Sequence, residues 1–184
     1  MKQFILFSFL AINVGLTAKA QDFVSPTQPV ETGKAPGAKV KLLSTNGETK
    51  TYSLVFSPGD EVRSGLNDFA QQYHVKSAHY TAIGDVFYGK VGFFNYEKKM
   101  FKVISIDTSE IASFIGNIAI FNGKPVAHTH VSVADKNGLV HGGHLLGLYV
   151  GPTLEVFITV EPTALYKKLD KRYNAGVIDP SLEQ

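Results

Sequence analysis

The sequence predicts an α+β fold, a compact and mainly antiparallel β-sheet with one principal helix. Three observations carry this. From Ser77 onward the chain is rich in β-branched and aromatic residues, in runs from Ala78 to Ile83, Val86 to Tyr96, Phe101 to Ile106, Phe114 to Phe121, Val126 to Ala134 and Leu154 to Val160. Short polar connectors separate several of them, Glu97-Lys98-Lys99 and the turn-forming Asn122-Gly123-Lys124. Such connectors imply antiparallel neighbours, because parallel strands need long crossovers. Only one segment shows a strong helical period: Val62, Leu66, Phe69, Ala70 and Tyr73 recur at i, i+4, i+7, i+8 and i+11.

In chain order, Lys2 precedes a charge-free apolar run from Phe4 to Leu16, and Ala18-Lys19-Ala20 ends it with small residues. The run is too short to span a bilayer, which takes ~20 residues, and it reads as a signal peptide over residues 1–20. Residues 21–38 hold Pro26, Pro29, Gly33, Pro36 and Gly37 with few large apolar side chains, a flexible lead-in. Lys39 to Leu43 and Thr51 to Phe56 read as strands around a turn at Asn46-Gly47. Ser57-Pro58-Gly59-Asp60-Glu61 starts the helix, a breaker pair followed by acids that suit its dipole. Ala164 to Tyr173 is expected as a last amphipathic helix, and Asn174 to Gln184 as a frayed tail.

Charge and cysteine usage exclude some classes of function. The chain has 18 basic and 16 acidic residues; Lys2 and Lys19 lie in the leader, so the rest carries 16 of each. A neutral chain has no net pull toward phosphate backbones, and Arg63 and Arg172 are the only arginines, so nucleic-acid binding is disfavoured. With no cysteine there is neither a disulfide nor a lipid-attachment site. The expected product is exported, periplasmic or secreted, with no membrane anchor after signal cleavage.

Four of the six histidines, His128, His130, His141 and His144, fall within seventeen residues. On a strand, alternate side chains share a face, so His128 and His130 project together, away from Ala127, Thr129 and Val131. Asp135-Lys136-Asn137-Gly138 is a turn that returns the chain beside them. Gly142-Gly143 then permits backbone angles or a close approach that a side chain would forbid, at the start of the strand that carries His144. Three neutral imidazoles with an open position suit a divalent ion, zinc first. His141 could replace His144 as the third ligand, and three hydrogen-bonded histidines structuring a pocket or a subunit contact are the alternative. His74 and His79 lack partner spacing. Asp135 and Glu155 are the acids available as a general base or as partners that orient an imidazole.

Beyond these patterns the chain resembles prokaryotic members of the PPC (plants and prokaryotes conserved) family. The resemblance rests on Gly59-Asp60-Glu61-Val62, Ala82-Ile83-Gly84, Gly116-Asn117-Ile118-Ala119, Gly123-Lys124-Pro125-Val126-Ala127-His128-Thr129-His130 and Gly142-Gly143-His144-Leu145. It implies a PPC domain over residues 39–163, followed by the C-terminal helix and tail over 164–184. It also implies a homotrimer, and it brings a DNA-binding label inherited from plant relatives with AT-hook segments, which this chain lacks. A more distant similarity, to acetolactate decarboxylase, selects His128, His130 and His144 as the metal ligands. The resulting expectation is an exported protein that binds a divalent metal and a small ligand at a three-histidine site. A metal-dependent enzyme acting on a carbonyl or carboxylate substrate is the alternative.

Overall fold

The computed structural model describes residues 22–183; the signal peptide expected over residues 1–20 lies outside them. Its elements are β1 (Phe23–Val24), β2 (Lys39–Asn46), β3 (Thr49–Phe56), α1 (Val62–Gln72), β4 (Ser77–Asn95), β5 (Met100–Ile106), β6 (Ser109–Phe121), β7 (Lys124–Ala134), β8 (Val140–Val160), β9 (Lys167–Asp170) and β10 (Ala175–Ile178). Eight strands form one sheet in the order β1-β5-β4-β6-β7-β8-β3-β2, and every pairing in it is antiparallel. A further pairing of β4 with β8 closes the circuit β4-β6-β7-β8. Buried side chains of these strands, among them Tyr80, Phe114, Val131 and Leu148, join Leu54 and Phe56 of β3 and Leu66 and Phe69 of α1 in one core. Among the described residues no helix is long and apolar enough to cross a membrane.

The apolar stripe makes α1 as expected, with Val62, Leu66, Phe69 and Ala70 buried. Tyr73 is its C-cap and lies half outside, against Phe69 and Tyr52. Glu61 is the N-cap: its carboxylate accepts from Arg63 N at 3.2 Å, from Ser64 N at 2.6 Å and, across on β8, from Leu148 N at 3.1 Å. Gly59 N donates to Val150 O and Val150 N to Asp60 O, so the turn before the helix is zipped onto β8. One buried carboxylate thus satisfies helix-terminal donors and a strand donor together.

Two long strands absorb segments read as separate. β4 runs through the gap expected after Ile83, with a register shift at Gly84/Val86. β8 begins at Val140, well before Leu154, because its glycines serve close strand approach and not a turn. A Cβ on Gly142 would stand 2.6 Å from Val131 O, and one on Gly143 2.7 Å from Gly92 O.

Two expectations are corrected. The C-terminal helix over Ala164 to Tyr173 and the frayed tail do not form; β9 and β10 pair as an antiparallel hairpin, Lys167 opposite Ile178. Ile120 N donates to Leu165 O at 2.8 Å, Asp179 N to Tyr166 O at 3.0 Å, and Lys168 pairs with Asp179 at 2.5 Å. A ten-residue helix is marginal by itself, and docking against β6 with Tyr173 edge-on to Phe94 and Tyr96 outweighs it. The lead-in, expected to be flexible, is held as well. β1 pairs with β5, Gly33 N donates to Asp68, Lys34 N to Ser64 Oγ and Gly37 N to Asp60.

Candidate metal centre

β7 alternates as its sequence requires. Ala127, Thr129 and Val131 are buried in the core, and His128 and His130 face the other way. The β7–β8 ladder sets His144 directly opposite His130, so a third imidazole arrives on the same face. The ligating nitrogens of His128, His130 and His144 all lie within 4.8 Å of one another. Ring centroids are 5.2 Å apart for His128–His130 and 4.9 Å for His128–His144. Phe101 of β5 stacks on His144 at 4.3 Å and 6°, fixing that ring.

The strand is pinned from behind. Tyr80 hydroxyl lies 2.7 Å from Thr129 Oγ1 and donates to His128 O at 3.3 Å. Burial pushes the phenol pKa up, so it stays protonated. Asn67 of α1 accepts from Ala127 N at 3.2 Å and donates to Arg63 O at 2.7 Å. Replacing Tyr80 with Phe is expected to cost about 1–2 kcal/mol, because it leaves Thr129 without its buried partner. Urea denaturation measures it, with an unchanged m-value showing that the fold is kept.

Burial, together with the nearby Lys167 charge, pushes His128 down to about 4. Burial and the neighbouring His128 push His144 down to about 3. Both rings are therefore neutral at ordinary pH, the form that can donate a lone pair to a metal. Across the ladder from His128, Asn117 Oδ1 is buried without a hydrogen-bond donor, an acceptor left open beside the cluster. Three imidazoles converging on one face, with no carboxylate among them, fit a divalent ion.

The histidines open into a cavity of about 650 Å³. Phe94, Phe101, Phe121 and Tyr173 supply apolar walls, and Arg63 from α1 and Lys167 from β9 also line it. Arg63 Nη1 donates to Leu146 O at 3.3 Å, and burial lowers the guanidinium pKa. Burial likewise pushes the Lys167 ammonium down to about 8.

Other expected site residues fall elsewhere. His141 sits opposite Val133, exposed, with Nε2 3.3 Å from Asp135. Asp135 itself accepts from Asn137 N and Leu139 N in the turn. Glu155 faces Val55 and Ile83 in the sheet. Neither acid lines the histidine cavity, so neither stands where a general base would act. His79 is exposed, 3.8 Å from Glu161, and His74 follows the helix with φ of 53°. Arg63, Lys167 and the aromatic walls were not among the expected site residues. The one available signal was Arg63 as one of two arginines, set beside a helix start.

No functionally curated protein matches the chain. Among solved structures, a protein of Ralstonia eutropha JMP134 with a provisional DNA-binding name is 34% identical, with 76% of this chain and 95% of that one covered and a TM-score of 0.68. A plant- and prokaryote-conserved protein of Pyrococcus horikoshii is 28% identical over 83% of this chain and 100% of its own, with a TM-score of 0.66. A metal-containing protein of Archaeoglobus fulgidus is 25% identical, covering 77% and 96%, with a TM-score of 0.65. The family model for the Plants and Prokaryotes Conserved domain matches residues 43–162, from within β2 to just past β8. The histidine strand, the ladder that brings in His144 and the closed circuit beneath them all lie within the matched residues, and this chain belongs to the Plants and Prokaryotes Conserved (PCC) domain family.

Proposed function

We propose that this PCC-domain protein binds one divalent metal ion, zinc by preference, through His128, His130 and His144, and presents it to a small ligand in the adjoining cavity. The observation that carries the reading is the convergence of three ring nitrogens within 4.8 Å on one face. Support comes from the burial that keeps His128 and His144 neutral and from a relative described as metal-containing. Export, read from residues 1–20, and assembly as a homotrimer, implied by the family likeness, belong to the same proposal. An ion held this way would act as a Lewis acid toward a bound oxygen. With Asp135 and Glu155 away from the cavity, binding is favoured over turnover.

The test is metal content. Protein purified without chelator or histidine tag is expected to carry about one zinc per chain by emission spectrometry. His128→Ala with His130→Ala should lower that at least tenfold while the circular dichroism spectrum is kept. Equal metal in wild type and double mutant would end the reading. Salt-dependent binding of an A·T-rich duplex would instead favour the function named for the Ralstonia relative.

A further inference from the structure

The cavity beside the histidines collects positive charge and offers nothing to offset it. Arg63 and Lys167 both line it, and no aspartate or glutamate does. Both line the same cavity as His128, His130 and His144, so they stand beside the cluster itself. Among the described residues Lys167 forms no ion pair or side-chain hydrogen bond, whereas its neighbour Lys168 pairs with Asp179. Glu61 is the acid nearest Arg63 in charge terms, but its oxygens accept from three backbone N–H groups and it does not reach the cavity wall. A partly buried cation without a partner is costly. A divalent ion on neutral imidazoles would add two more charges of the same sign.

We infer that the cavity is built for a small organic anion, a carboxylate with an aromatic or branched apolar body, held by Arg63 and Lys167 beside the histidine cluster. This deepens the metal-site reading and rests on it for the ion's share of the binding. The charge count calls for the anion. The walls call for the body: Phe94, Phe101, Phe121 and Tyr173 enclose far more volume than an inorganic ion fills. Arg63 has the planar fork that matches a carboxylate, and Lys167 is a point charge on a flexible stem. Lys167 also lies past residue 162, where the family match ends. The β9–β10 hairpin therefore brings the second cation.

Benzoate and its neutral isostere benzamide are the probes, titrated calorimetrically into the purified protein with zinc and again after chelation. Benzoate should bind at least tenfold tighter than benzamide with zinc, and a smaller preference should persist without it. Lys167→Gln should cut the preference at least fivefold while the circular dichroism spectrum is kept; Lys167→Arg should restore it. Arg63→Gln should act in the same direction. Zinc bound with no preference for benzoate would overturn the anion site and leave the metal reading intact. Absent zinc with a preference that depends on Lys167 would do the reverse. Acetate or inorganic phosphate binding as tightly as benzoate would overturn the apolar body.

Discussion

Glu61→Ala is expected to destabilise the protein by about 3–5 kcal/mol. The carboxylate is buried and accepts from Arg63 N, Ser64 N and Leu148 N. Losing an N-cap alone costs about 0.5–2 kcal/mol. Each buried donor left without an acceptor adds about 1–3 kcal/mol, less whatever water can recover. For a chain of this size that lowers the thermal midpoint by roughly 10–15 °C. Glu61→Gln keeps one carbonyl oxygen and should lose less than half as much. The pair of variants, compared by chemical denaturation, separates the hydrogen bonds from mere side-chain volume; equal losses would mean that the acceptors matter little. Because Glu61 joins α1 to β8, the Ala variant should also loosen Arg63 from the histidine cavity, read as faster amide exchange at Arg63 and Leu148.

The second large effect follows from the neutral imidazoles. In the metal-free protein His128 titrates near 4 and His144 near 3, against 6.5 for a free histidine. Between those limits the unfolded chain takes up protons that the folded chain refuses. Stability from these two groups is therefore fully present above pH 6.5 and falls as the pH drops toward 4. At about 1.4 kcal/mol per pKa unit, and allowing for water reaching partly covered rings, the loss from pH 7 to pH 4.5 is about 2–4 kcal/mol. Denaturation of chelated protein at the two pH values measures it. A His128→Asn, His144→Asn double variant should show a much flatter profile over that window.

Part of this was legible in the residues themselves. The α1 stripe of Val62, Leu66, Phe69 and Ala70 and the alternation of His128, Thr129 and His130 depend on local period alone, and both appear as read. Gly142 and Gly143 signalled a close approach, which is what β7 and Gly92 make there. What local pattern does not encode is which strand returns beside which. The closure of β4 on β8 is a pairing between segments tens of residues apart, and the glycines within Val140 to Thr153 resemble loop composition until their neighbours are known. Residues 164–173 fit a helical spacing, yet Lys167 spends its stem covering the cavity and its backbone pairing with β10. Arg63 and Lys167 carried no motif because their role arises from where α1 and the hairpin meet.

The β7–β8 ladder runs from Ala134 opposite Val140 to His130 opposite His144 and stops there. Its last rung is a pair of side chains that can share one ion. In a chain with no cysteine, an ion bridging that rung would serve as a removable cross-link across the 130–144 segment. Loop-closure entropy puts a tie of about 15 residues at roughly 3 kcal/mol, drawn from the unfolded ensemble. A chelator would cut it without touching a covalent bond.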